Sequence, residues 1–270
     1  MRQKVIVFTD LDGTLLDPVS YDFSTALPAL EVLRAQGIAL VLCSSKTRAE
    51  MLLYRQRLDN HHPFVVENGG AVYLPSGYFK TPIDSDDTLP GYERITLGTP
   101  HAEIRRQFVA LRALTGARVR GFTDMDVAEI AALTGLDNAQ AALARQREFD
   151  EPFVFDSKVD ASFLQAIKSI GLNWTAGRLH HMLGQHDKGR AVRLLKTLYE
   201  LAHGTMTTLG LGDGANDLPM LRAVDHAVLV RHADGLANAS LQFVGLTTTH
   251  LPGPAGWNEA VLDFLCHGHD

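Results

Sequence analysis

Residues 4–14 of the chain read KVIVFTDLDGT. The apolar and β-branched residues 4–8 predict a strand, and two carboxylates, Asp10 and Asp12, follow it directly. Residues i and i+2 of an extended segment point to the same side, so both carboxylates can converge on one point. Gly13 then permits a tight turn and a close approach of backbone N–H groups to an anion. An Asp-Gly turn with solvated side chains is the alternative interpretation of this segment taken alone.

The rest of the chain alternates strands and helices in the way that builds a parallel sheet covered on both faces. Residues 78–97 differ, because they are rich in Pro, Gly, Asp and Thr, and they predict a boundary or a surface loop. Further core strands are predicted at residues 38–43, 64–66, 206–211 and 227–230, and core helices at a segment capped by Ser24 and stopped by Gly37 and at residues 47–58, 189–201, 218–223 and 257–265.

These patterns predict an α/β fold, in which a doubly wound parallel (Rossmann-like) sheet is interrupted by an inserted α+β domain. The predicted core comprises residues 1–80 and 186–270, and the inserted domain comprises residues 81–185. Inside the insertion, helices are predicted at residues 101–114, 126–133, 137–148 and 160–170, and strands at residues 152–155, 172–174 and 178–183.

A second acidic group, Asp213 to Asp217, follows the predicted strand 206–211. If that strand lies beside the first one, Asp213 arrives at the same carboxyl edge of the sheet as Asp10 and Asp12, where open α/β sheets bind ligands. Carboxylate oxygens and a phosphate partner favour Mg²⁺. The residues also satisfy the G-x-G-x-x-A spacing of a dinucleotide-binding turn, but an Asp inside the turn and its late place in the chain argue against that alternative.

Two more features fit a phosphate site. Ser44 ends the predicted second strand and can donate a hydrogen bond to a phosphoryl oxygen, and Lys46 follows closely. Lys188 stands at the start of a predicted helix, where its charge and the backbone N–H groups both favour an anion.

The composition excludes several classes of protein. The chain has 270 residues and two cysteines, too few for a disulfide scaffold. Its 25 basic and 31 acidic side chains give a net charge of −6, which argues against a general nucleic-acid binder. No apolar run approaches the roughly 18 residues of a membrane span. We therefore expect a cytoplasmic protein that binds a small molecule, without nucleic-acid or membrane partners; no feature of the sequence specifies an oligomeric state.

The motifs together resemble those of the haloacid dehalogenase superfamily of phosphatases. The resemblance covers nearly the whole chain and implies the Cof-type branch, with a large α/β cap between Ser44 and Lys188. Four motifs carry it in chain order: Asp10-Leu11-Asp12-Gly13-Thr14, Ser44, Lys188-Gly189 and Gly212-Asp213-Gly214-Ala215-Asn216-Asp217.

Shorter segments are similar to the mannosyl-3-phosphoglycerate phosphatase family, whose members release phosphate and mannosylglycerate, a compatible solute. Leu179 departs from that pattern, which has an aromatic residue at this position. Sucrose-phosphate and glucosyl-3-phosphoglycerate phosphatases share the fold, so the sugar stays open. The similar segments are residues 42–47, 67–70, 147–153 and 177–181.

The resemblance implies a role for each motif. Asp10 is the nucleophile that forms an aspartyl phosphate, and Asp12 first donates a proton to the leaving oxygen and later accepts one from water. Ser44 and Lys188 compensate charge on the phosphoryl oxygens. The implied Mg²⁺ ligands and their orienting neighbours are Asp10, Asp12 through its backbone carbonyl, Asp213, and Asn216 or Asp217.

The cap is expected to bind the rest of the substrate. A glycerate carboxylate requires a cation, for which Arg178 is the first candidate and Lys46 the second. Sugar hydroxyls require acceptors and amides. The candidates for the hydroxyls are Glu67, Asn68, Glu148 and His180.

Three functions follow from this reading. The first is a Mg²⁺-dependent phosphatase of a glycosylated phosphoglycerate, and the second is a Cof-type phosphatase of another sugar or cofactor phosphate. The third is a non-catalytic phosphate sensor on the same fold, which the presence of both Asp10 and Asp12 disfavours. A phosphotransferase or mutase is a further possibility, because a cap that excludes solvent does not distinguish it from a hydrolase.

Overall fold

The computed structural model describes residues 4–80, 84–156, 158–238 and 241–267. Within these residues the chain forms a nine-stranded sheet and a four-stranded sheet. The strands are β1 (Lys4–Thr9), β2 (Ala39–Cys43), β3 (Phe64–Val66), β4 (Ala71–Pro75), β5 (Asp87–Leu89), β6 (Tyr92–Thr96), β7 (Val119–Gly121), β8 (Asp150–Phe155), β9 (Asn173–Ala176), β10 (His180–Leu183), β11 (Met206–Gly212), β12 (His226–Arg231) and β13 (Leu246–Pro252). The α-helices are α1 (Leu27–Gln36), α2 (Arg48–Arg57), α3 (His101–Thr115), α4 (Val127–Thr134), α5 (Asn138–Ala144), α6 (Ala161–Ser169), α7 (Lys188–His203), α8 (Leu218–Leu221) and α9 (Gly253–His267).

The large sheet has the strand order β13-β12-β11-β1-β2-β3-β4-β6-β5, and its strands are parallel from β13 to β3. Side chains alternate along a strand. Val5 and Val7 of β1 therefore enter one buried cluster and Ile6 and Phe8 the cluster on the opposite face. The predicted parallel sheet, covered on both faces, is confirmed.

The segment predicted as a loop at residues 78–97 contains β5 and β6, which extend the large sheet through antiparallel pairing of β6 with β4. The loop prediction is therefore wrong for these strands. β5 is the edge strand and β6 lies between it and β4; both are only partly buried and lack the continuous apolar run that marks the central strands. The sheet places residues 87–96 with the core, and we propose that the inserted unit begins after them instead of at residue 81.

The inserted unit is built on the antiparallel sheet β7-β8-β10-β9. Helices α3 and α6 pack on it through a cluster that includes Phe108, Phe153 and Phe163. The helix predicted at residues 137–148 is shorter, because α5 ends at Ala144 and Glu67 accepts the backbone N–H groups of residues 148–150 that a longer helix would use.

Local signals define several helix ends. Gly37 has φ 65° and ends α1 as predicted, and Thr47 caps α2 in a reciprocal pair with Glu50. The predicted cap at Ser24 is wrong, since Ser24 lies in a 3₁₀ turn before α1 and its hydroxyl donates to Asp22 at 2.5 Å.

In the described residues, no helix is both long enough and apolar enough to cross a membrane.

The register of the central strands determines where the acidic motifs meet. Thr9 of β1 lies beside Leu211 of β11 and beside Leu42 of β2. The backbone N–H of Asp10 continues this ladder by donating to the carbonyl of Leu211 at 2.9 Å. The residues that follow the three strands therefore gather at one carboxyl edge of the sheet, as predicted.

Candidate active site

Asp10, Lys188 and Asp217 form the buried centre of the site. The Lys188 ammonium donates to one carboxylate oxygen of Asp10 and one of Asp217, each at 2.6 Å. Although burial disfavours the charged amine, the two carboxylates raise the pKa of Lys188 above its ordinary value. Burial and the negative charge of Asp217 raise the pKa of Asp10 well above its usual range, and Lys188 opposes this shift.

Asp213 joins this centre from the second acidic motif. Its Oδ1 accepts a hydrogen bond from the Thr14 hydroxyl at 3.2 Å. Gly13 has φ 81°, and a Cβ at that position would collide with the Asp213 carboxylate. The glycine after the first acidic pair thus leaves room for the second motif. Burial and the charge of Asp217 raise the pKa of Asp213 to about 7.

The acidic centre fits a divalent cation. One carboxylate oxygen from each of Asp10, Asp213 and Asp217 lies within 4.8 Å of the others. Such oxygens are the ligands that Mg²⁺ prefers. At this centre three carboxylates face one buried ammonium, that of Lys188, which gives a formal balance of 1 − 3 = −2. One Mg²⁺ would neutralise this charge.

The loop that carries Asp213 is ordered by Asp217. Its Oδ2 accepts the backbone N–H groups of Asp213 at 3.0 Å and of Gly214 at 2.9 Å, while its Oδ1 accepts from Lys188. These amides are therefore already bonded within the protein, which argues against the dinucleotide-binding alternative for the G-x-G-x-x-A spacing. Asp217 acts on the site by fixing the loop and the lysine.

Asp12, Ser44 and Lys46 lie at the same edge. The Lys46 ammonium is 2.8 Å from Oδ2 of Asp12 and is only 5% exposed. The Ser44 side chain is fully buried at the end of β2, and its hydroxyl accepts the backbone N–H of Lys46 at 3.2 Å. The four sequence motifs of the core therefore lie at one edge of the sheet.

A cleft of about 890 Å³ lies between the core and the inserted unit, a size that suits a small organic ligand. The guanidinium of Arg178, on the turn between β9 and β10, lies 3.3 Å from the hydroxyl of Tyr21 on the core side. Residues that line the cleft include Asp10, Asp12, Tyr21, Lys46, Glu50, Phe122, Leu136, Arg147, Arg178, Leu179, His181, Asp213, Asn216 and His232.

Two of the residues predicted to bind sugar hydroxyls have structural partners instead. The carboxylate of Glu67 is fully buried and accepts the backbone N–H groups of residues 148–150 at 2.7 to 3.1 Å. The carboxylate of Glu148 accepts hydrogen bonds from Arg48 at 2.9 Å and from Tyr73 at 3.0 Å. Neither residue lines the cleft, so the structure does not bring these two carboxylates to the candidate site.

His180 also lies away from the cleft, since its ring packs against Phe153 and Trp174. The next residue, His181, lines the cleft, because neighbouring residues of β10 point to opposite faces. Asn68 is buried and links two parts of the molecule: it accepts from Asn216 at 3.2 Å and its amide lies 3.4 Å from Asp150. Neither His180 nor Asn68 lines the cleft, so the structure does not place them where a sugar would bind.

Sequence reasoning missed several residues of the cleft. The side chain of Arg147 is only 4% exposed and pairs with Asp150, and Glu50 lies 3.9 Å from the Lys46 ammonium. His232 follows β12, and its ring donates to the backbone carbonyl of Asp213 at 3.1 Å. The rule that ligands bind beyond the carboxyl ends of parallel strands could have identified His232. No comparable local signal marks Arg147 or Glu50 as part of the cleft.

Comparison with known proteins agrees with this geometry. Residues 7–93 and 156–250 match the family model described as haloacid dehalogenase-like hydrolase. The chain belongs to this family. The predicted superfamily and hydrolase class are thereby confirmed.

This haloacid dehalogenase-like hydrolase is similar to proteins of known name over nearly its whole length. It is 41% identical over 265 residues to the glucosyl-3-phosphoglycerate/mannosyl-3-phosphoglycerate phosphatase of Methanococcoides burtonii, and 40% identical over 267 residues to the protein of the same name from Persephonella marina. Each comparison covers 97% of both chains.

Solved structures share the fold of this hydrolase. The crystal structure of Thermoplasma acidophilum 0175 superposes with a TM-score of 0.69 and 17% identity, covering 98% of this chain and 99% of the other. The sucrose-phosphatase of Synechocystis sp. PCC6803, solved with sucrose and phosphate, gives a TM-score of 0.64 and 16% identity over 98% of both chains. These similarities confirm the predicted α/β architecture.

Proposed function

We propose that this protein is a Mg²⁺-dependent phosphatase that hydrolyses mannosyl-3-phosphoglycerate or glucosyl-3-phosphoglycerate through an aspartyl phosphate at Asp10. The observation that carries the proposal is the meeting of Asp10, Lys188 and Asp213 beside a cleft of about 890 Å³. The names of the relatives that are 40% and 41% identical support the choice of substrate.

The chemistry follows from the charges around Asp10. One of its carboxylate oxygens attacks phosphorus in line with the leaving oxygen, and the P–O bond to glycerate breaks. Asp12 gives a proton to the leaving oxygen and later takes one from the water that cleaves the aspartyl phosphate. The Lys188 ammonium, already 2.6 Å from Asp10, compensates charge on the phosphoryl oxygens together with the Ser44 hydroxyl.

Asp10, Asp213 and the backbone carbonyl of Asp12 would hold Mg²⁺ in this proposal, and Asn216 and Asp217 would act from the adjoining loop. Bound there, Mg²⁺ supplies the positive charge that lets an anionic carboxylate approach an anionic phosphoryl group. The formal balance of −2 in the site supports this assignment.

Arg178 is the proposed partner of the glycerate carboxylate. Its side chain is exposed on a turn of the inserted unit and lines the cleft, and its planar guanidinium matches a carboxylate in two parallel hydrogen bonds. Phe122, Leu136 and Leu179 give the neighbouring wall an apolar surface. The apolar face of a sugar ring can pack against such a surface.

The test is phosphate release from mannosyl-3-phosphoglycerate, glucosyl-3-phosphoglycerate and sucrose 6-phosphate. Asp10→Asn should lower kcat by at least about 1,000-fold, because it removes the attacking carboxylate while the side-chain size is kept. Asp156→Asn is the matched control, since Asp156 is exposed on the inserted unit. EDTA should abolish wild-type turnover, and added Mg²⁺ should restore it.

Near-normal turnover by Asp10→Asn would refute the covalent mechanism. Turnover that persists in EDTA would refute the metal dependence. A wild-type enzyme that hydrolyses only sucrose 6-phosphate would retain the chemistry but overturn the proposed substrate.

A further inference from the structure

Lys46 has an unusual environment for a lysine that lines a ligand cleft. Its side chain is 5% exposed, and its ammonium lies 2.8 Å from Oδ2 of Asp12 and 3.9 Å from Oε1 of Glu50. The rings of Tyr21 and Tyr54 flank the ammonium at 5.1 and 4.9 Å from their centroids. The charged end of Lys46 is thus enclosed on several sides.

The backbone of Lys46 is also fixed by hydrogen bonds on both sides. The N–H of Lys46 donates to the Ser44 hydroxyl at 3.2 Å, and its carbonyl accepts the N–H of Glu67 at 3.0 Å. Glu50 is itself fixed in the reciprocal cap of α2 with Thr47. The ammonium is therefore anchored by the same elements that build the phosphate site.

The charge around Lys46 makes it a poor receptor for a carboxylate of the substrate. Two carboxylates, those of Asp12 and Glu50, already share its single positive charge. A third would enter a site where negative charge is already in excess, and repulsion would offset its attraction to the ammonium. Arg178 is a better partner, because it is exposed and extends from the opposite wall of the cleft.

We propose that Lys46 is a positioning residue for Asp12: its ammonium holds the Asp12 carboxylate in the direction from which a proton reaches the leaving oxygen. This inference rests on the proposed function, since it takes Asp12 as the proton donor. Lys46 then does not bind the glycerate carboxylate, the role for which the sequence makes it the second candidate after Arg178.

The choice of leaving group shows whether a variant has lost the proton donor. When the P–O bond of an alkyl phosphate breaks, the leaving oxygen carries away the bonding electron pair as an alkoxide unless Asp12 transfers a proton to it. The p-nitrophenolate ion is stable without that proton, so p-nitrophenyl phosphate does not need the donor. A defect in Asp12 positioning should therefore slow alkyl substrates selectively.

The experiment measures kcat/KM, which reports the steps up to phosphoryl transfer, for Lys46→Met on four substrates. These are mannosyl-3-phosphoglycerate, 3-phosphoglycerate, glycerol 3-phosphate and p-nitrophenyl phosphate. The first three have alkyl leaving groups, and glycerol 3-phosphate lacks the carboxylate. We expect a loss of about 10- to 100-fold on all three alkyl substrates, as part of the usual contribution of general acid catalysis, and a change below about threefold on p-nitrophenyl phosphate.

Two comparisons separate positioning from structural damage. Lys46→Met should add little to the defect of Asp12→Asn, because a residue that acts through Asp12 has no effect once Asp12 cannot donate. Lys46→Arg should recover part of the loss, since a guanidinium also pairs with a carboxylate. Lys158→Met, at an exposed position of the inserted unit, is the matched control.

Equal losses on alkyl and aryl substrates, or additive effects with Asp12→Asn, would overturn the positioning role. A loss restricted to the two substrates that carry a carboxylate would instead make Lys46 a substrate ligand. If the wild-type enzyme released phosphate from none of the four substrates, the proposed function itself would fail, whatever the behaviour of Lys46.

Discussion

Lys188 shows how a single side chain is stabilised in a place where water cannot reach it. An ammonium group with no solvent exposure is costly unless it is paired and hydrogen-bonded. Asp10 and Asp217 supply two contacts of 2.6 Å, and they lie in the segments that follow two neighbouring strands, β1 and β11. The same contacts hold the Asp10 carboxylate in place before any substrate arrives, so stability and pre-organisation have one physical origin.

His62 is a residue whose titration should be visible in the stability of the fold. Burial, together with the charge of Arg55, lowers the pKa of His62 from 6.5 to about 4. Because the folded-state pKa is the lower one, the neutral ring contributes stability that is complete above pH 6.5 and is lost as the pH falls towards 4. Between pH 7.5 and 5 the loss should reach up to about 2 kcal/mol.

The matched variant is His62→Asn, whose amide does not titrate and can still bond with the Tyr78 hydroxyl, now 2.7 Å from Nδ1 of His62. Urea unfolding of both proteins at pH 7.5 and 5 measures the difference. The wild type should lose stability more steeply than the variant over this interval. Parallel losses in the two proteins would contradict the lowered pKa.

At the scale of elements, the sequence predicts best the position of residues that directly follow the central strands. Asp10, Ser44 and Asp213 were correctly expected at one edge, because parallel neighbours bring their carboxyl ends together whatever the loops do. The last two strands at one side of the sheet, β6 and β5, were missed, since partly buried strands lack a continuous apolar run. Local sequence patterns are enough to predict the central strands, whereas the outer strands depend on pairing between distant residues.

The site residues that the sequence did not place correctly also depend on contacts between distant segments. His180 and His181 are adjacent in sequence, and only the register of β10 decides which one lines the cleft. The use of Glu67 as an acceptor for residues 148–150 joins segments about 80 residues apart. No periodicity within either segment indicates such a contact.

Glu67 therefore has a structural role that can be tested: its carboxylate holds the segment that leads from α5 into β8. Glu67→Ala leaves buried backbone N–H groups between α5 and β8 without their acceptor, at about 1 to 3 kcal/mol for each unsatisfied group. We expect a loss of at least about 3 kcal/mol in the free energy of unfolding, measured in urea. Glu67 has a positive φ of 47°, which strains glutamate and alanine alike. The difference in unfolding free energy between wild type and Glu67→Ala therefore reports the loss of the carboxylate.

Glu129→Ala is the matched control, because Glu129 accepts one backbone N–H in the exposed cap of α4. That variant should lose only about 1 kcal/mol. A similar small loss in Glu67→Ala would show that water replaces the carboxylate, and would refute the structural role assigned to it.

At the scale of the whole molecule, the core and the inserted unit are connected by polar contacts whose members include residues of the cleft wall. Asn68 contacts Asn216, close to Asp213 in the second acidic motif, and Asp150, the first residue of β8. Asp150 is paired in turn with Arg147 and with His181 at 2.8 Å. The wall that faces the substrate is thus tied to the loop that carries the acidic centre.

This connection can be cut without disturbing the backbone. Asn68 has φ 58°, a conformation that glycine adopts without strain, so Asn68→Gly removes the amide and keeps the turn. Because Asn216 and Asp150 then lose their common partner, small displacements across the cleft should lower kcat/KM for mannosyl-3-phosphoglycerate by about 10-fold. The melting temperature should fall less than in Asn68→Ala, in which the same contacts are lost and the strain remains. Unchanged kcat/KM in Asn68→Gly would show that the two units hold their relative placement without this link.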